Sequence, residues 1–396
     1  MAKILLLDRF SNYGFMNIHI KNAHAAFKRM GHEAKIFNMS DDYFETLPQK
    51  LAEGWDLVFS ISYFGHVRVK GRTIMDMGQC PHVVMHLDHP SFFYDWVNET
   101  PEGTIVTWLD ASHIDYVERE WGPNRFAAQA CVPPGGNIDT PPTDETLEQF
   151  IEQRDIPMLF TGTFHGPPER RWRTEFPAEG VALMDTVADI ALSAEELPIH
   201  QALDIGAQAL GWDADHPIVK AVHHYIYLLS LYIHDHRRYE ALTALSRAGV
   251  PVHIYGKGFE SHMHRFPGFQ YGGVGNFYET LGLIQRSQIV LNSNTNFSWG
   301  AHERVFAAQR GGALVLSDTS KWYREHLKDG ENIQLYQWLA LDEMPKIAHD
   351  LLDDPTRLFR MAQAGRREAD AHHTWANRLQ DILKLAGIAS ANEQAA

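Results

Sequence analysis

Cysteine is nearly missing from this chain. Of 396 residues only Cys80 and Cys131 carry thiols, too few for a disulfide framework and not spaced as metal ligands, so both read as small buried residues in a reducing compartment. Long apolar runs are missing as well. The longest, YIYLLSLYI from Tyr225 to Ile233, falls well short of the ~20 residues needed to cross a bilayer. The opening KILLL meets Asp8 and Arg9 at once, without the apolar stretch and cleavage site of a signal peptide. The expectation is a soluble, cytoplasmic protein with no transmembrane segment. Positive charge is in deficit: 35 Lys and Arg stand against 50 Asp and Glu, a formal −15, which repels phosphate backbones and argues against a nucleic-acid partner. A dinucleotide fingerprint is missing too. G-x-G-x-x-G must follow a strand so that the pyrophosphate meets a helix N-terminus. Here the first loop, DRFSNYG, holds only Gly14, and GKGFES puts Ser261 where the third glycine belongs. That demotes a dehydrogenase, leaving it as a reading that needs a divergent cofactor loop.

What is present is a long α/β pattern. With 396 residues and 44% hydrophobic content, the chain exceeds the ~250–300 residues at which one core stops growing, and should form two domains. Residues 288–318, QIVLNSNTNFSWGAHERVFAAQRGGALVLSD, read as buried strand, polar loop, helix, Gly311-Gly312 stop and second buried strand, one crossover unit of a parallel sheet. Asn292, Ser293, Asn294, Thr295 and Asn296 follow the first strand, and Glu303 and Arg304 open the helix, at the edge where open α/β sheets bind ligands. Ser317 and Asp318 repeat the arrangement after the next strand. A solvated loop before an ordinary capped helix is the plainer alternative.

The first ~140 residues alternate strand and helix throughout. KILLL, EAKIF, WDLVFSIS, HVVMHLD, TIVTWLD and NRFAAQACVP are the strands, and the first helix runs to Met30 with Gly31 as its stop. PPGGNIDTPPT, residues 133–143, then marks a linker or domain edge. A second set begins at Met158 with MLFTGTF, VHIYGKG, FQYGGV, IVLNSN and ALVLSD. Between its first two strands lies a helical stretch, about 181–248, longer than one crossover helix and read as an inserted subdomain. The expected domains are 1–145, 146–375 including that insert, and 376–396 as a C-terminal helix with a frayed tail after Ala389.

The motifs MLFTGTF, YGKGFE, QYGGV, LNSNTNFSWGAHERVFAAQRGGALVLSD, DGENIQLY and HHTWANR resemble the CgeB/YkvP-like glycosyltransferase group of the GT-B superfamily. LDHPSFFYDW and TWLDASHIDYVEREWGP resemble the amino-terminal domains that accompany it, so the likeness covers most of the chain apart from the helical insert. The resemblance implies a GT-B-like α/β fold, two facing doubly wound, Rossmann-like domains with the helical insertion in the second. It further implies a nucleotide-sugar donor bound mainly by the second domain, an unidentified acceptor glycan, lipid or protein bound mainly by the first, and sugar transfer in the cleft. It implies no cofactor and no bound metal.

Backbone N–H groups of glycine turns, helped by one or two cations, can hold a diphosphate. The candidates are Thr161, Gly162 and Thr163, Gly256, Lys257 and Gly258, and Arg304, with Asn292, Asn294, Gly311 and Gly312 completing the donor-binding set. One departure stands out. Related transferases read Arg-x-Phe-Glu-Ala here, the glutamate holding the donor ribose, whereas RVFAA puts Ala307 in that place. Glu303, one turn earlier, lies on the same helical face and is either its substitute or a carboxylate placed favourably at a helix N-terminus. This departure keeps a catalytically silent binding or scaffold protein as an alternative to the transferase.

On the acceptor side, Asp88 and His89 end a strand in HLDHP, each a candidate general base, imidazole because its ordinary pKa is ~6.5. The alternative is an Asx-type turn fixed by Pro90. His19 near the first loop is a third candidate, or a partly exposed helix histidine. The close histidine pairs among the 23 histidines lack the i, i+4 spacing of helical zinc sites, and surface or packing roles are expected. PPERRWR, residues 167–173, is a phosphate clamp or a solvated helix start. Trp299, Trp322, Tyr323 and Trp338 are stacking candidates or core residues.

Overall fold

The continuous apolar runs become strands buried on both faces, as parallel sheets require. The computed structural model describes residues 1–9, 11, 14–39, 43–62, 64–138, 144–294 and 297–388. The chain divides into two compact units, Met1–Asp139 with Ala371–Ala396, and Thr140–Asp370.

The first unit contains β1 (Lys3–Asp8), β2 (Glu33–Asn38), β3 (Leu57–Ile61), a short hairpin of β4 (Arg68–Val69) and β5 (Arg72–Thr73), β6 (His82–His86), β7 (Ile105–Trp108) and β8 (Ala128–Cys131). Its six-stranded sheet has the order β2-β1-β3-β6-β7-β8, every pair parallel. Ile4, Leu5, Leu6 and Leu7 have no exposed surface, as suits an interior strand covered on both faces. The helix Phe15–Arg29 follows Gly14, whose φ of 73 opens the turn into it. The helix Trp375–Leu385 packs on it. Trp375 Nε1 donates to Asn137 Oδ1 at 2.9 Å, and a Cβ on Gly135 would lie 2.4 Å from the Trp375 amide. These contacts place the helix after residue 375, set apart in the sequence reading, within the first unit. Residues 139–143 of the expected linker and the tail from 389 fall outside the described residues.

The second unit contains β9 (Ile156–Thr161), β10 (Val252–Tyr255), β11 (Gln270–Tyr271), β12 (Ser287–Asn292), β13 (Leu314–Asp318) and β14 (Gln334–Tyr336). The order is β11-β10-β9-β12-β13-β14, again wholly parallel. A buried cluster including Met158, Phe160, Ile254, Ile289, Leu291 and Leu316 forms its core. The stretch between β9 and β10 folds into the helices Trp172–Glu175, Ala178–Leu192, Ile199–Ala209, Pro217–His224 and Ile226–Arg247. Glu195 and Glu196, between the second and third of these, tie the insert back to the sheet. The Glu195 carboxylate accepts the Trp338 and Leu339 amides at 2.9 and 2.7 Å, and Glu196 accepts Thr319 Oγ1 and Arg324 Nε, both at 2.8 Å.

The strand orders locate the crevices. In the first sheet successive strands leave β1 on opposite sides, towards β2 and then β3. In the second they leave β9 towards β10 and, after β11, towards β12. Ligands of open α/β sheets bind where the order reverses, outside the carboxyl ends of the strands. That singles out the residues after β9 and β12. Among the described residues no helix is long and apolar enough to cross a membrane.

Candidate functional site

Two arginines converge at the β9/β12 reversal. Arg304, in the first turn of the helix Glu303–Arg310, donates from Nη1 to Asn292 Oδ1 at 3.0 Å. Asn292, fully buried at the end of β12, donates in turn to Ser317 Oγ at 2.9 Å. Arg238, buried in the helix Ile226–Arg247, donates to the Thr163 carbonyl and lies over the Phe160 ring, 5.4 Å from its centroid. Burial, with the repulsive charge of Arg304 beside it, pushes Arg238 down to about 9. Burial also lowers Arg304, with Glu303 opposing. Arg238 Nε and Ser293 Oγ are buried without a hydrogen-bond partner among the described residues. Unsatisfied donors at a cationic spot are where an anion completes the bonding.

The glycine turns have a different role from the one the sequence suggested. Gly162 N–H donates to the Tyr255 carbonyl at 3.1 Å and Gly256 N–H to the Gly273 carbonyl at 3.0 Å, while Gly258 N–H donates to Glu260 Oε2 at 2.8 Å. These amides are committed inside the protein and do not face a phosphate. The glycines are there for close approach: at φ 145, a Cβ on Gly256 would lie 1.8 Å from the Gly162 carbonyl oxygen. Thr161, Thr163 and Lys257 do stand at this edge, and Lys257 uses its carbonyl to accept the Phe164 amide at 2.9 Å.

Asn294 is likewise a builder of the site. Its amide donates to Asp318 Oδ1 at 2.6 Å, its Nδ2 to the Phe297 and Gly300 carbonyls, and its Oδ1 accepts Tyr323 Oη at 3.0 Å. Thr295 and Asn296 lie outside the described residues. Gly311 and Gly312 belong to the opposite edge of the sheet, because a crossover helix runs back against its strands. There the Gly311 carbonyl accepts Arg154 Nη2 at 2.9 Å, at the other end of the helix from Arg304. Glu303 is 8% exposed, its carboxylate 2.5 Å from His302 Nδ1. Ala307 is buried at 1% exposure, so its position presents no polar group.

The sequence reading passed over the middle of the helix Ile226–Arg247. Its run HDHRR supplies Arg238, and also Asp235, which contacts His165 and His234, and Arg237, whose guanidinium lies 5.3 Å from the Trp338 ring centroid. Asp318, ending β13, is 1% exposed; burial raises it to about 6, against the pull of the Asn294 amide and Arg237. Two of the three arginines of PPERRWR are taken by carboxylates: Arg170 pairs with Asp185 and Asp189, and Arg173 with Asp185, fastening this loop to the helix Ala178–Leu192. Trp322 and Tyr323 are buried, and Trp299 donates to the Glu196 carbonyl at 3.2 Å.

In the first unit the acceptor-side candidates separate. Asp88 is exposed at the carboxyl end of β6. His89 is buried; its Nδ1 caps the turn Pro90–Phe93 by accepting the Ser91 amide at 3.2 Å, and its ring packs on His113 and Tyr116. His19 is fully buried, 3.0 Å from Asn137 Oδ1 and ring to ring with Trp375 at 5.7 Å. It is therefore neither at a loop mouth nor a partly exposed helix residue. Ser62, at φ 47 after β3, marks backbone strain next to the first sheet's reversal point, a conformation that concentrates at functional places. Among the described residues no three His, Cys, Asp or Glu side chains are grouped to hold a metal ion.

Comparison with known proteins bears on this geometry. A family model described as glycosyl transferase-like matches residues 237–384, a stretch that begins at Arg237 and includes Arg304. No curated protein matches the chain. Among solved structures, Anabaena HepE in complex with UDP and glucose is 11% identical over 98% of this chain and 100% of its own, with a TM-score of 0.52. Sucrose-phosphate synthase from Thermosynechococcus elongatus is 12% identical over 97% of this chain and 98% of its own, with a TM-score of 0.53. AviGT4, a glycosyltransferase involved in avilamycin A biosynthesis, is 11% identical over 98% of this chain and 97% of its own, with a TM-score of 0.51. The chain thus has the α/β fold of the GT-B glycosyltransferases, two parallel-sheet Rossmann-like units, and its second half carries the glycosyl transferase-like match.

Proposed function

We propose that this protein is a glycosyltransferase of the CgeB/YkvP-like kind that takes its sugar from a nucleoside diphosphate sugar held at the carboxyl edge of β9 and β12. The observation that carries the reading is the pair Arg238 and Arg304. Two partly desolvated cations that repel each other are unfavourable in an empty pocket and favourable around a diphosphate, whose two negative charges neutralise both. UDP and glucose in the structurally similar HepE support the same class of donor. Thr161, Thr163 and Lys257 line the edge, Asn292 and Asn294 hold it in shape, and Glu303 serves the ribose in place of the glutamate that Ala307 replaces. The first unit takes the acceptor, with exposed Asp88 as the candidate base. The donor binds without a metal ion, its charge balanced by the arginines.

A thermal-shift series with UDP, ADP, GDP and their glucose conjugates tests this directly. A ligand at ~100 times its dissociation constant stabilises by ~2.7 kcal/mol, so one base should raise the melting temperature, and Arg304→Ala should remove the shift. No shift with any of them overturns the proposal. Ala307 favours a second reading, a binding protein without turnover, since no carboxylate stands at that position. Slow release of free nucleotide from the bound conjugate decides for the enzyme, and tight binding with no release decides for the binder.

A further inference from the structure

The loop after β9 carries a side chain that the donor reading leaves unused. His165 is exposed, 43% for its side chain, and its Nδ1 lies 2.9 and 3.1 Å from the two carboxylate oxygens of Asp235. An ionised carboxylate only accepts, so Nδ1 carries the proton and Nε2 is the outward nitrogen. Among the described residues Nε2 has no hydrogen-bond partner. Asp235 is held firmly itself. Burial would raise it, yet the hydrogen bonds from His165 and His234 keep its carboxyl well below the usual range. Asp235 precedes Arg238 by three residues on one helix, and residues so spaced share a face. Arg238 reaches back to the carbonyl of Thr163, two residues before His165. The imidazole, its carboxylate and the diphosphate-facing arginine thus form one cluster on the loop that contains Gly162.

We propose that His165 is a third ligand of the donor diphosphate: as imidazolium, oriented by Asp235, it donates from Nε2 to a phosphate oxygen beside Arg238 and Arg304. This rests on the donor reading above. The groups that face His165 bear out the direction of the effect. From the helix Ile226–Arg247 come Asp235, His234 and Arg238. The segment after β10 packs on the two chain neighbours of His165: the Lys257 carbonyl accepts the Phe164 amide, and His262 stands edge-on to Phe164 at 5.3 Å and 3.7 Å from where a Cβ on Gly166 would stand. A diphosphate adds two negative charges and favours the imidazolium. Proton and donor therefore bind cooperatively, and each must strengthen the other by the same factor. Asp235 acts through His165 and is a positioning residue.

Titration calorimetry with UDP-glucose, whose diphosphate diester has no proton to lose between about pH 5.5 and 8.5, reads this coupling. The wild-type protein should bind about ten-fold more weakly at the upper pH. His165→Gln should bind at about the weaker value, with a clearly shallower slope than the wild type, the remainder coming from Asp318 and Arg238. Asp235→Asn should move the step to lower pH, because the imidazolium loses its anionic partner, and both variants should melt cooperatively. Affinity for uridine, which has no phosphate, should not change in either. A His165→Gln slope equal to that of the wild type overturns the inference while leaving the donor site intact. If the wild type binds none of UDP-glucose, ADP-glucose and GDP-glucose, the donor reading falls and this inference with it.

Discussion

At the carboxyl edge of the second sheet the chain places Arg238, Arg304 and Lys257; at the same edge of the first it places histidines, aromatic rings and carboxylates. His82 and His86 are buried in β6 and pushed down to about 3, so they are neutral. His86 stacks on Trp108, His89 meets Tyr116 edge-on, and Asp8 and Asp88 end β1 and follow β6. The backbones of the two sheets differ mainly in where the strand order reverses. One parallel frame therefore provides the place twice, and the side chains decide what each place attracts. On the proposed function, an anionic donor would be drawn to the second edge and repelled from the first.

Acid should separate the two units with the largest effect. A folded pKa of about 3 against ~6.5 in the unfolded chain means that the unfolded chain holds the extra proton from pH 6.5 down to 3. Stability therefore falls as pH falls through that window, by about 2 kcal/mol per histidine between pH 6.5 and pH 5. Asp318, raised to about 6, has the opposite sign: the folded state holds its proton between ~3.9 and 6, so stability rises as pH falls there. Hydrogen-exchange protection factors of β3 and β6 should drop at pH 5 while those of β13 hold; loss at β13 first would break the comparison.

A glycine pair sharpens it next. Gly256→Ala drives a Cβ into the Gly162 carbonyl and should cost the second unit about 3 kcal/mol. Gly54→Ala in the first unit has a positive φ of 80 but open space around it, and should cost about 1 kcal/mol. Urea denaturation compares the two, and equal losses would show that the β9 and β10 turns tolerate separation. Slightly smaller is Arg304→Ala, expected to weaken nucleotide-sugar binding about a hundred-fold, or ~2.7 kcal/mol, whereas Asp88→Asn should leave it alone; calorimetry giving the reverse ranking would exchange the roles of the two units. Smallest is Glu303→Ala, expected to lose about ten-fold, and unchanged nucleotide binding would remove Glu303 from the site.

Much of this is legible in the sequence, for reasons that particular residues make plain. β1, β3, β6, β9, β12 and β13 are apolar runs followed by polar residues, and Arg304 was readable because it opens a helix after such a run. β14 has three residues, too few for periodicity to show. HDHRR was hidden because a charged run on a helix usually faces water, whereas this helix is covered by the insert and by the sheet, leaving Arg237 and Arg238 buried. His19 misled for a related reason: its partner Asn137 lies 118 residues away, a contact that no local pattern encodes. The glycines read in the sequence as phosphate-holding turns, and only the partners of their amides show a close approach of protein on protein instead.

The most direct test of a donor site on the second unit is hydrogen–deuterium exchange with and without saturating UDP-glucose. Protection confined to the segments 161–165, 292–294 and 302–306 is the predicted result. Protection centred on residues 86–96, with those segments unchanged, would contradict it.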